Sequence, residues 1–169
     1  MRNSNGQTLG GVRLWIALAL LVAALIPSAW VVWTQSSTPY IGVFHDDSIY
    51  LVAAKSIDAG TGYRVISLPG SPHEGKYPPV YPMFLSLIWK FNPDFPNNVR
   101  AGLLAQWFWL PVFLAAFLYY LRQLPLGEKT RWGLVILTGA SAFSTLMSVT
   151  LSSEPMWSAM FLVSMAWVE

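Results

Sequence analysis

Two clusters and one isolated acid carry most of the residues in this chain that can do chemistry. The first is "FHDDSIY", which sets His45, Asp46 and Asp47 side by side. The second is "HEGKYPP", which supplies His73, Glu74 and Lys76, with Lys55 and Arg64 between the clusters. The isolated acid is Glu154, in "SSEP". A carboxylate at Asp46 or Asp47 can take a proton from an attacking hydroxyl as a general base. A second carboxylate, with His45 beside it, can contribute to a divalent-metal site; Asp47 and His45 are the candidate ligands. Lys76 is a flexible cation suited to a phosphate, and Arg64 and Glu74 join it as candidate binding residues. Each has a plainer reading. An acid at a helix start caps exposed N–H groups, which one Asp alone would satisfy, and His73 reads as part of a solvated loop. Glu154 reads equally as a helix-start acid and as a functional acid set between two apolar runs.

The surroundings of these residues are strongly apolar. Of 169 residues 54% are hydrophobic and only 11% are charged, against about 25% charged in a typical soluble domain. Three stretches carry no charge: Leu14 to Trp33, Ala101 to Leu121, and Trp132 to Ser153. Each has the roughly 20 apolar residues needed to cross a bilayer. The pattern predicts an all-α fold: a polytopic membrane helix bundle with an external loop carrying short juxtamembrane helices. The spans are placed at 14–34, 99–121, 132–151 and 156–168, and the external loop at 35–76. The segment 77–91 is too short to cross comfortably and is read as re-entrant or as a short span. The first run is longer than the core of a secretory signal, which makes it an uncleaved anchor. There is no cysteine, which excludes disulfides. The scattered basic residues leave no nucleic-acid footprint.

Within the loop, Ile49, Val52, Ala53 and Ile57 recur at helical spacing, and Gly60 or Gly62 can end that helix. It is expected to lie on the membrane surface. Arg2 and Arg13 favour a cytoplasmic N-terminus, and Arg122, Lys129 and Arg131 favour the same side. If 77–91 does not cross, Glu154 returns to the external face that holds Asp46 and Asp47.

The order of these motifs resembles that of the GT-C glycosyltransferases. An anchor span is followed by a paired acid, then "GTGY", "KYPPVYPMFLSLI" and "SSEP". Within that group the chain is similar to protein mannosyltransferases and to the bacterial lipid A aminoarabinose transferases. The resemblance implies an N-terminal part of a larger enzyme, since family members carry more spans and a further external domain. It implies an inverting transfer of a sugar from a polyprenyl-phosphate donor to a lipid, glycan or protein acceptor. The reaction would take place on the outer face of a bacterial cytoplasmic membrane. Asp46 matches the family's catalytic acid, Asp47 its neighbour, and Lys76 a lysine that contacts the carrier phosphate. Glu154 matches the acid of a serine–glutamate motif. Ile49 stands where the aminoarabinose branch carries an arginine, so sugar and acceptor are left open. A non-catalytic membrane subunit or an inactive truncated fragment is the alternative.

Overall fold

The computed structural model describes residues 9–35, 41–42 and 44–168, with side chains from residue 14 onward. Arg2 and part of the 35–76 loop lie outside the described residues. Among the described residues eight helices make up the regular structure: α1 (Leu9–Gln35), α2 (His45–Asp58), α3 (Val80–Phe91), α4 (Asn97–Trp107), α5 (Trp109–Gln123), α6 (Glu128–Gly139), α7 (Ala142–Ser148) and α8 (Glu154–Val168). The all-α expectation holds for the described residues.

Two helical stretches are long and apolar enough to cross a membrane: Leu14–Gln35, and Asn97–Gln123 formed by α4 and α5 together. The second is interrupted at Phe108. Pro111 lies three residues further on, and a proline ring crowds the carbonyl four residues before it, here that of Trp107. α3 has 12 residues, about 18 Å of helix at 1.5 Å per residue, too little to cross alone.

The run expected to form one span over 132–151 is not a single continuous helix. It is split between α6 and α7. Ser141 caps α7, its Oγ accepting the Ser144 N–H at 3.1 Å, while the Ser144 hydroxyl donates back to Thr138 O at 2.6 Å. These side chains satisfy the backbone groups that a break exposes, which makes it tolerable inside an apolar run. α8 begins at Glu154, two residues ahead of the expected 156, and the Trp157 N–H bonds Ser153 O at 3.0 Å.

α1, α5 and α6 approach closely because residue 139 has no side chain. A Cβ there would sit 2.8 Å from Leu114 Cδ1 and 3.0 Å from both Ala24 Cβ and Ala24 O. The Leu114 contact is with the end of a flexible side chain, whereas the Ala24 contact includes the α1 backbone, which cannot give as easily. Gly139→Ala is therefore expected to destabilise the bundle by about 1–3 kcal/mol. Gly133→Ala on the same helix meets nothing within 4 Å and should be neutral or stabilising by up to about 1 kcal/mol. Thermal unfolding of the two variants side by side checks the difference; equal midpoints would mean that α6 does not need the small residue.

α2 packs on α3 rather than lying apart from the bundle. Its buried face is Asp47, Tyr50, Leu51 and Ala54, spaced i, i+3, i+4, i+7. That face is rotated from the one formed by Ile49, Val52 and Ile57, which are half-buried; Ala53 is buried as expected. Gly60 and Gly62 follow the helix with φ of +70° and +85°, the left-handed conformation that glycine tolerates best. Past them the chain folds back on itself. Val65 N–H bonds Pro72 O at 2.9 Å and Glu74 N–H bonds Tyr63 O at 3.1 Å. This turn returns residues 74–77 to the start of α2.

Candidate functional site

The two sequence clusters meet at a tyrosine between them. The Tyr77 hydroxyl donates to Asp46 Oδ1, and Lys76 Nζ donates to that same hydroxyl at 2.5 Å. Cation, phenol and carboxylate therefore form one polarised chain. The other carboxylate oxygen of Asp46 has no hydrogen-bond partner among the described residues, and the Lys76 side chain is exposed. Its hydrogen bond to Tyr77 raises the Lys76 pKa above the usual lysine value, and the charges of Asp46 and Glu74 add to this.

Tyr77 is held on several sides. Its ring meets Tyr50 edge-on with centroids 5.1 Å apart. Its carbonyl accepts the Tyr63 hydroxyl at 3.0 Å. Burial pushes the Tyr63 phenol up to about 12, with the Glu74 charge adding to it, so Tyr63 remains a donor at neutral pH. Glu74 works on the backbone: its Oε1 accepts the N–H of Lys76 at 2.6 Å and of Tyr77 at 3.3 Å. Its role is to shape the turn that presents both residues.

Asp46, Asp47 and Glu154 line one cleft of about 160 Å³, together with Tyr50, Thr150 and Ser152. Glu154 thus stands at the same end of the molecule as the paired acids. A chain of hydrogen bonds that begins in the core places it. Tyr81 on α3 donates to Gln106 Oε1 at 2.7 Å, and Gln106 Nε2 donates to Ser152 O at 2.6 Å. The Ser152 hydroxyl then donates to Glu154 Oε2. Beside this chain the Tyr50 and Ser153 hydroxyls pair at 3.1 Å. Burial raises the Tyr50 pKa; Ser153 opposes that, and the Asp46 and Glu154 charges reinforce it. A second hollow of about 110 Å³ shares Phe143, Met147 and Glu154 with the cleft and continues past Leu110 and Phe113. Glu154 lines both hollows.

The remaining candidates are engaged in other bonds or lie away from the cleft. Asp47 is 1% exposed, and both its oxygens accept the Gly42 N–H, at 2.8 and 2.9 Å. Its Oδ1 also takes the Ser48 N–H at 2.5 Å. Its carboxylate anchors the chain entering α2. His45 is exposed, and the described residues contain no group of three or more His, Cys, Asp or Glu able to hold a metal. Arg64 is not brought to the cleft: its guanidinium donates to Thr61 O at 3.2 Å and Ser71 O at 3.0 Å. Lys55 lies over the Trp89 ring, 5.0 Å from its centroid.

Tyr50, Tyr77, Tyr81, Gln106 and Ser152 had not been singled out from the sequence. Tyr77 and Ser152 lie inside quoted motifs and could have been found there. Gln106, an amide within an uncharged run, carries the signal of a polar residue in an apolar helix. Compared with protein-family models, curated proteins and solved structures, the chain matches none.

Proposed function

We propose that the chain is the N-terminal part of a polytopic membrane glycosyltransferase of the GT-C type. It would transfer a sugar from a polyprenyl-phosphate donor to a lipid, glycan or protein acceptor on the non-cytoplasmic face of a bacterial cytoplasmic membrane. The observation that carries this reading is the union of Asp46 and Lys76 through Tyr77 beside a cleft that also holds Glu154. A cation next to a carboxylate suits a displacement in which an anion leaves while a hydroxyl attacks. The acceptor oxygen bonds to the anomeric carbon as the bond from that carbon to the phosphate oxygen breaks, which inverts the centre. The acceptor proton goes to the free oxygen of Asp46. Lys76 stabilises the charge left on the carrier phosphate. The apolar hollow beyond Glu154 is suited to the first isoprene units of the carrier, at about 0.8 kcal/mol per buried CH₂.

The membrane setting rests on the two long apolar helices. Only 17% and 33% of their most apolar windows is buried, a poor fit to core helices of a water-soluble domain and a good one to lipid-facing spans. The small cleft favours one other reading, a non-catalytic membrane subunit.

Membrane vesicles containing the intact protein separate the two. Radiolabelled sugar should leave a polyprenyl-phosphate donor only when the protein is present; absence of transfer across sugars and acceptors supports the subunit. In the Cys-free background, Ser67→Cys should label from outside in right-side-out vesicles and Thr130→Cys should not. The opposite pattern would place the cleft on the cytoplasmic face, against an external transferase.

A further inference from the structure

Tyr77 is the residue through which Asp46, on the cleft, and Lys76, beside it, communicate. A phenol has one proton to give and lone pairs to receive with. Here the proton goes to Asp46 Oδ1 and a lone pair takes Lys76 Nζ. Lys76 also lies over the Tyr77 ring, 4.5 Å from its centroid. The ring cannot swing away freely, because Tyr50 abuts it and the Tyr77 backbone is tied to Tyr63 and Glu74. Hydrogen bonds in such a chain polarise one another.

We propose that Tyr77 is the positioning residue of this site, its hydroxyl holding the Lys76 ammonium and the Asp46 carboxylate at a set separation as one unit. The consequence for turnover rests on the glycosyl-transfer reading; the coupling itself does not. An ammonium has three donors. With one on Tyr77, two remain for an arriving phosphate. Asp46 likewise keeps one oxygen for the acceptor while the other is held. The phenol thus fixes where leaving group and attacking oxygen sit relative to each other, a geometric contribution to rate.

The groups around Lys76 are Tyr77, Asp46 and Glu74, and the ammonium is exposed, so its reactivity reports on them directly. The intact protein is treated with N-hydroxysuccinimidyl acetate and acetylation of each lysine is followed by peptide mass spectrometry. Tyr77→Phe is expected to speed acetylation of Lys76 at least about threefold, because the hydrogen bond that holds the ammonium in its charged form is lost. Lys55 and Lys90 should be unchanged. Lys55 is the folding sentinel, because its place over Trp89 is lost if the packing of α2 on α3 is lost. An unchanged Lys76 rate overturns the proposal. If Tyr77→Phe accelerates Lys55 as well, Asp46→Asn decides. Faster Lys76 with Lys55 unchanged then upholds the coupling, and any other pattern overturns it.

A transfer assay is the second arm. Tyr77→Phe should cost roughly 30-fold in kcat/KM alone but only about threefold in a Lys76→Ala background, the non-additivity of residues acting as a unit. Equal costs in both backgrounds would overturn the positioning role. Altered Lys76 reactivity in a protein that transfers no sugar leaves the coupling standing and removes the glycosyl-transfer reading.

Discussion

Asp46→Asn in the intact protein is expected to lower sugar transfer by about 1,000-fold or more, within the range spanned by loss of a general base. The substitution keeps an oxygen able to accept the Tyr77 hydroxyl and removes the acceptor for the substrate proton. Folding and donor binding should therefore persist, and thermal unfolding and donor titration beside the rate measurement check this. Asp47→Asn should behave differently. It weakens the paired acceptance of the Gly42 N–H, so its main effect should be a loss of about 1–3 kcal/mol in stability. Its rate loss should be tenfold or so at most by that indirect route. A protein that turns over normally with Asn at 46 and is dead with Asn at 47 would reverse the assignment. If both variants stay active, the pair serves only the local fold.

Lys76→Ala should reduce kcat/KM for a polyprenyl-phosphate donor by about 100- to 1,000-fold, the scale seen when one stabiliser of developing negative charge is removed. Lys90→Ala is the matched control. Lys90 is exposed near the end of α3 and has the long stem of a residue that reaches for an interface; its removal should change donor kinetics by no more than about twofold. Varying the donor at saturating acceptor measures both. Equal losses for the two lysines would mean that positive charge matters only as a general field. The phosphate role of Lys76 would then fall, and with it much of the reason for placing the donor in this cleft.

The parts of the molecule that could be read in the sequence are those set by local pattern. Uncharged runs gave the two long apolar stretches, and the glycines after Asp58 gave the end of α2. The break near Ser141 was not visible. Hydropathy counts Ser141 and Ser144 as mild polar residues in an apolar run, whereas in space they take over the bonds of an interrupted helix. The face that α2 buries against α3 is not legible in the sequence for a similar reason. The aliphatic residues defined one stripe, while the buried stripe contains an aspartate and a tyrosine whose polar atoms find partners elsewhere. Residue type pointed to Asp46 and Asp47 alike, to Lys76 and to Glu154, and the choice of Asp46 came from the resemblance. Only the fold-back between Gly62 and Glu74 reveals Tyr77 as the link between Asp46 and Lys76, because that meeting depends on a contact between residues 31 positions apart. Arg64 shows the converse, a cation near the site in sequence whose bonds go to loop carbonyls.

The buried relay from Tyr81 through Gln106 to Ser152 also bears on how the protein is made. A chain emerging during synthesis can pair α2 with α3 as soon as residue 91 is free. At that stage Tyr81 still lacks Gln106, and Gln106 later waits for Ser152, 46 positions further along. The Tyr50 hydroxyl waits longer still, for a partner 103 positions away. A half-made chain therefore holds polar groups whose protein partners have not yet been made, a costly state wherever those groups are withdrawn from water. The cleft closes its floor last, and the acid at its rim is delivered in the same step.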